Sequence, residues 1–270
     1  MATRIDIGAL LASAQLDEAI TQANQQVRGN PSAVEPRAML AVLLCWAGNL
    51  ERADVILDAI TGLDPGAAVG VALVRQLVRA EQARQQFYTL GRLPDFVVKP
   101  DEVLELTLKA AVALREGAAD EARDRLAERD AKRASISGTV NGEPFDEFRD
   151  LDDLNAAHLE VLTSNGKYLW VPLSIVEELE LRRPERQRDL LWPRARLAIT
   201  DGPEGEVFLP AVYFAAESTP AQRLGHETVF VGGSGNPVSG RGLRTFLVGE
   251  ASKTIHELGK VEFAVPGKPT

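Results

Sequence analysis

The apolar positions change their period once along the chain. Up to about Arg133 they recur at helical spacing in a background of Ala, Leu, Gln, Arg and Glu. Val71, Val74, Leu77, Val78, Ala80, Ala83 and Phe87, for example, fall on one stripe of a helix. Beyond Ser135, short runs of strand formers take over, cut by Gly and Pro, at residues 168–171, 197–199, 207–209, 228–231 and 245–248. Asp201-Gly202, between two of these runs, predicts a tight hairpin turn. In the same half Leu151, Leu154, His158, Val161 and Leu162 are spaced as one more helix, with Asn165-Gly166 as its stop. Ser174-Ile175-Val176-Glu177 has the form of a capping box that opens a short helix. The expected fold class is α+β. A helical domain covers residues 1–133, and a mainly antiparallel, small barrel-like β domain of five to seven strands, with one or two short helices, covers 138–270.

The helical half repeats. Leu16, Ala19 and Pro31 recur 34 residues on as Leu50, Ala53 and Pro65, and Leu11 has its counterpart in Leu44. A third copy is Leu114-Arg115-Glu116-Gly117 with Glu121-Ala122, where Gly117 and Ala122 lie 69 residues beyond Gly48 and Ala53. Thirty-four is the tetratricopeptide period: the small residue lets paired helices approach, the leucine fills their core and the proline closes the unit. Such units stack into a curved array whose concave face holds a peptide or a helix.

Composition narrows the setting. The chain has 270 residues, 45% hydrophobic and 26% charged, which fits one large or two ordinary folded domains. Its longest apolar run, residues 38–48, is 11 residues against the roughly 20 of a membrane span, so no membrane insertion is expected. The apolar part of the opening MATRIDIGALLASAQLDEA is too short for a secretory signal. A single cysteine, Cys45, cannot close an internal disulfide and points to a reducing, cytoplasmic setting. A net charge of −9 argues against a nucleic-acid partner.

The chain lacks the spacings that carry chemistry. His158, His226 and His256 have no Cys, His, Asp or Glu at a metal-ligand spacing, so no metal is expected. His158 reads as a core histidine bonded to backbone, His256 as part of a strand or its edge, and Cys45 as a buried apolar residue. Gly232-Gly233-Ser234-Gly235 and Gly240-Arg241-Gly242 lack the helix and Lys-Ser/Thr of a phosphate loop and read as a loop between strands. No catalytic residue and no cofactor is expected. A small-molecule or catalytic role near His158, His226 and the glycine loop stays as the alternative to protein binding.

Three charged tracts remain. Six acids fall within residues 143–153 and six arginines within 182–196, which read as solvated faces that meet across the domain. Arginine also favours protein interfaces. Residues 75–96 interleave Arg75, Arg79, Arg84 and Arg92 with Phe87, Tyr88 and Phe96, with Glu81 and Asp95 as their acids. Arg75, Arg79, Arg84, Phe87, Tyr88 and Arg92 are therefore the candidate partner-binding residues, forming an arginine-rimmed groove for an acidic amphipathic helix. The plainer reading puts Phe87 and Phe96 in the core and the arginines on the surface.

One order of segments is more specific. Gly138-Thr139-Val140-Asn141-Gly142-Glu143-Pro144-Phe145 is followed by Asp150-Leu151-Asp152-Asp153-Leu154 and Leu159-Glu160-Val161-Leu162. Asn165-Gly166-Lys167-Tyr168-Leu169-Trp170-Val171-Pro172 and Arg188-Asp189-Leu190-Leu191-Trp192-Pro193 come next. With a helical-repeat first half whose second unit ends in Leu63-Asp64-Pro65, the chain resembles the TagJ/ImpE (SciE-type) accessory proteins of type VI secretion over nearly its whole length. It departs from them where Leu209-Pro210 is followed by residues 211–216 in place of an Arg-Tyr/Phe-Pro-Gly-like turn. The resemblance implies an adaptor rather than an enzyme. It implies a partner in the N-terminal helix of the contractile-sheath subunit TssB, and through it a link to sheath recycling by the ATPase ClpV.

Overall fold

A computed structural model describes residues 6–264; residues 1–5 and 265–270, the outer ends of the two expected domains, lie outside the described part. The chain is helical up to Lys132, as α1 (Ile7–Ala12), α2 (Leu16–Gly29), α3 (Val34–Trp46), α4 (Leu50–Leu63), α5 (Ala68–Leu90), α6 (Glu102–Arg115) and α7 (Ala119–Lys132). A two-residue strand, β1 (Asp95–Phe96), interrupts them between α5 and α6.

Three of the helix pairs are built on one turn. Ala14, Gly48 and Gly117 take left-handed backbone angles, with φ 56, 75 and 76°. Each is followed by an N–H that reaches back five residues, from Gln15 to Leu10, Asn49 to Leu44 and Ala118 to Ala113, at 2.8, 2.9 and 2.9 Å. This is the Schellman ending, which satisfies the orphan carbonyls of the first helix and starts the second within two residues. Just beyond it Leu16, Ala19, Leu50, Ala53 and Ala122 are buried where the paired helices touch. The repeat therefore marks the places where two helices must approach and turn.

α5 breaks the pattern. At 23 residues it is about 35 Å long, and it packs against α4 on one side and against α6 and two strands of the second half on the other. Gly91, in the left-handed region at φ 74°, ends it.

The second half begins at Gly138. Its strands are β2 (Gly138–Val140), β3 (Glu143–Phe145), β4 (Phe148–Asp150), β5 (His158–Leu162), β6 (Tyr168–Pro172), β7 (Val176–Leu181), β8 (Arg194–Ile199) and β9 (Glu204–Phe208). They continue as β10 (Thr228–Gly233), β11 (Asn236–Gly242), β12 (Thr245–Val248), β13 (Ala251–Thr254) and β14 (Lys260–Phe263), with short helices α8 (Gln187–Leu191) and α9 (Pro220–Arg223). Nine strands form one sheet in the order β1-β6-β5-β9-β8-β7-β14-β2-β3, β13-β12-β4 form a second and β10-β11 a ribbon. All pairs are antiparallel except β1 with β6. The fold is α+β as expected, with more strands than five to seven.

Several local expectations are corrected. Residues 158–162 are a strand whose five residues are all buried. Their even residues face the helical half and their odd residues a second core, so the alternation that marks a half-exposed strand is missing and a helical spacing arises by accident. Asn165-Gly166 is the β5–β6 hairpin turn, closed by the Thr163 N–H on the Lys167 carbonyl at 3.0 Å. Residues 173–175 make one 3₁₀ turn before β7, and His256 lies in another 3₁₀ turn. Gly240-Arg241-Gly242 belongs to β11, while the tract around Ser234 is the β10–β11 hairpin tip. Asp201-Gly202 joins β8 to β9 as expected.

One apolar core runs through the helical half and onto the sheet, where Leu162, Tyr168, Trp170, Trp192 and Phe208 join it; Phe148, Val161, Val171, Leu197 and Phe246 belong to a second core inside the β half. The repeat turns yield a stability test. Ala14 occupies a position that suits glycine, so Ala14→Gly should stabilise the protein, and Gly117→Ala should destabilise it, each by about 1 kcal/mol. Urea unfolding of the two variants against wild type checks both signs.

Candidate functional site

The two halves meet over a buried carboxylate. Glu160, in the middle of β5, accepts two hydrogen bonds from Arg84 of α5, from Nε and Nη2, both at 3.0 Å. It also accepts the hydroxyls of Tyr88 at 3.1 Å and Tyr168 at 2.5 Å, and it pairs with the Arg244 guanidinium. Arg84 donates further to Glu81 at 3.0 Å and to the Val212 carbonyl at 3.1 Å. Arg244 also pairs with Asp150 at 3.1 Å, whose other oxygen takes the Tyr213 hydroxyl at 2.7 Å. Trp192 donates to Glu81 at 3.3 Å, and Trp170 to the Tyr168 oxygen at 2.6 Å. The indoles thus close the apolar wall around the charges.

The charges settle according to their partners. Burial would raise Glu160, but the guanidiniums of Arg84 and Arg244 hold it well below the usual carboxylate range. Burial raises Glu81 against the pull of Arg84, and pushes Asp150 up to about 7 although Arg244 opposes it. His158 is buried against the Trp170 ring, with ring centroids 3.8 Å apart, and neither of its nitrogens meets a hydrogen-bond partner. It is a core histidine without the expected backbone bond, and burial drives it down to about 3. Cys45 is buried, with its thiol pushed up by burial and by Glu81. Among the described residues no three His, Cys, Asp or Glu side chains come together as metal ligands.

The candidate residues of α5 and the turn after it do not share one surface. Arg84 and Phe87 are buried in the seam, Phe87 with its ring edge-on to Trp170 at 4.8 Å. Tyr88 is half-buried and stacks on Phe214 at 4.7 Å. Arg75 is held by Asp54 at 2.7 Å and by Asp58 at 2.5 Å. Arg79 is exposed beside the β5–β6 turn, and Arg92 is exposed and bonds to Gln86. Burial of Arg84 and Phe87 thus corrects the reading of 75–96 as one open arginine–aromatic groove: these two side chains are occupied by the second half of the same chain, Arg75 is held by acids of α4, and Arg79 and Arg92 stay exposed. Residues 211–216 supply Val212, Tyr213 and Phe214 to this seam.

The two charged tracts do not face each other either. Asp150 and Asp152 are buried, and Asp152 accepts the N–H groups of Asn155 and Gly240. Arg182, Arg194 and Arg196 pair with Glu180, Glu206, Glu178 and Glu204 on their own and neighbouring strands.

An open groove of about 540 Å³ lies beside the seam. Its walls are Val34, Ala38, Met39 and Val42 of α3 and Val71 and Val74 of α5, over a floor of Leu57 and Ile60 from α4. Gly66, Ala67 and Gly70 flank the start of α5, and Arg186, Gln187 and Arg188 close one side. The arginine cluster that sequence placed second thus borders the apolar surface. α3 is apolar nearly all round, so its sequence does not mark which face stays uncovered.

The buried charges carry two predictions. Glu160→Gln leaves Arg84 and Arg244 without their shared counter-charge and should cost about 3–5 kcal/mol, read by chemical unfolding. For His158, the unfolded chain takes up a proton near 6.5 and the folded protein refuses it until about 3. Its contribution to stability therefore falls as pH drops below about 6.5, by about 1.4 kcal/mol per unit. His158→Phe should gain about 2 kcal/mol on wild type between pH 6.5 and 5, checked by paired unfolding curves.

Comparison with known proteins agrees with this architecture. A family model described as ImpE protein matches residues 142–262. The chain is 30% identical over 257 residues to the type VI secretion system accessory component TagJ of Pseudomonas aeruginosa, covering 94% of this chain and 89% of that protein. A crystal structure of a protein from Vibrio parahaemolyticus matches it with a TM-score of 0.90 at 26% identity, covering 96% of this chain and 97% of the other.

Proposed function

The chain belongs to the ImpE/TagJ family of type VI secretion accessory proteins, and from that premise we propose that it is a non-enzymatic, cytoplasmic adaptor of the contractile sheath. It holds the N-terminal helix of the sheath subunit TssB and is coupled through it to sheath recycling by ClpV. The observation that carries this reading is the uncovered apolar groove on a helical-repeat array, a surface that suits an amphipathic helix. The charged groups of the seam support it in another way. They are paired with one another inside the protein, which leaves them to hold the two halves together rather than to turn over a substrate. No helix among the described residues is long and apolar enough to cross a membrane.

Co-purification tests the proposal directly. Full-length TssB should be retained by the immobilised protein, and TssB lacking its N-terminal helix should be lost. Equal retention of the two forms, or retention of neither, overturns the assignment. ClpV should be recovered only when TssB is present, because the coupling is indirect.

A further inference from the structure

Gly70 sits in the third position of α5, where any residue other than proline would favour the helix more. A Cβ added there would meet nothing within 4 Å, so packing inside the chain gives no reason for a glycine. The position opens into the groove between α3 and α5. A bare backbone at that point lets a second helix lie close to the start of α5, as small residues do wherever helices approach. The remaining surface is carbon from Val34, Met39, Val42 and Val71, offering seats for the i, i+3, i+4 and i+7 anchors of an amphipathic helix.

Charge selects the polar side of that helix. Arg186 is exposed at the groove and takes part in no salt bridge among the described residues. Arg188 beside it is half-buried, with its Nε turned inward to Asp189 at 3.5 Å. Across the groove the acid is Glu35. One rim is thus an arginine edge, with Arg186 as its exposed cation, and carboxylates on a bound helix would complement it.

We propose that this groove, and not the outer face of α5, receives an amphipathic helix that turns its apolar stripe toward Gly70 and its acidic side chains toward Arg186 and Arg188. The assignment rests on the adaptor reading above, in which the helix is the N-terminal one of TssB.

The test is fluorescence anisotropy with a synthetic peptide of that helix, on the full chain. Gly70→Leu puts a side chain into the groove from a Cβ position that meets nothing within 4 Å, and should weaken binding ten-fold or more while the urea midpoint stays equal to wild type or rises. Arg186→Glu, on an exposed rim, should weaken binding about three-fold at low salt, with the difference shrinking at high salt. Unchanged affinity in folded Gly70→Leu overturns the groove and leaves the adaptor reading standing. Failure of the wild-type protein to bind the peptide overturns both. Loss of binding in Arg79→Glu with Gly70→Leu unaffected returns the site to the outer face of α5 and overturns the assignment.

Discussion

Glu160 is a carboxylate placed where water does not reach, and the two guanidiniums that surround it come from segments distant in sequence, 76 and 84 residues away. Removing such groups from water costs several kcal/mol apiece, and attraction returns that energy only if every partner arrives in the right place. The whole arrangement depends on this condition. A shift of β5 by one residue would carry Glu160 to the other face of the sheet and strand Arg84 and Arg244 in an apolar wall. The network therefore contributes less as a source of net stability than as a selector of one docking between helices and sheet. Tyr88, Tyr168 and Trp170 sharpen that selection, because their polar atoms are satisfied only in the same register.

The groove depends on the same docking. Its floor and two walls belong to α3, α4 and α5, but the arginine side comes from the segment that leads into α8 in the β half. An isolated helical array would present an apolar strip without that edge. The lock between the halves thus fixes the distance between the apolar floor and the charged rim, and with it the width and polarity of any helix the groove accepts. One helix serves both places: Arg84 of α5 sits in the network, while Val71 and Val74 of the same helix form a groove wall.

Local rules made the helical half legible. The Leu, Ala and left-handed residues of the repeat are there because adjacent helices must touch and turn, and short-range geometry dictates their spacing. The strands at 168–171, 197–199, 228–231 and 245–248 were equally readable from β-branched and aromatic runs bounded by turns. Strand β5 was not, because burial on both faces erased its period of two. The charged seam was hidden for a related reason: ion pairing across 76 residues leaves no spacing to recognise. One signal was nonetheless present, a lone carboxylate in His158-Leu159-Glu160-Val161-Leu162 and a lone guanidinium between Leu243 and Phe246. A single charge inside an apolar strand implies a buried partner somewhere in the chain. Arg84 and Phe87 looked like a surface for another protein because a stripe of arginines and aromatics is equally suited to bind the chain's own second half.

The interruption of the repeat has a physical origin in that second half. A solenoid of helix hairpins exposes an apolar end unless something caps it. Here α5 stands where the first member of another hairpin would be, yet it runs 23 residues and shares its far side between α6 and the strands β5 and β6. Phe87 and Arg84 serve on that side as an ordinary repeat's Leu and Ala would, but they meet Trp170 and Glu160. The sheet is thus the cap of the array, and the following hairpin α6–α7 resumes only after α5 and β1 have been accommodated. Such a cap joins by charge as well as by carbon, which confines it to one position and keeps the free face of α3, α4 and the first turns of α5 open.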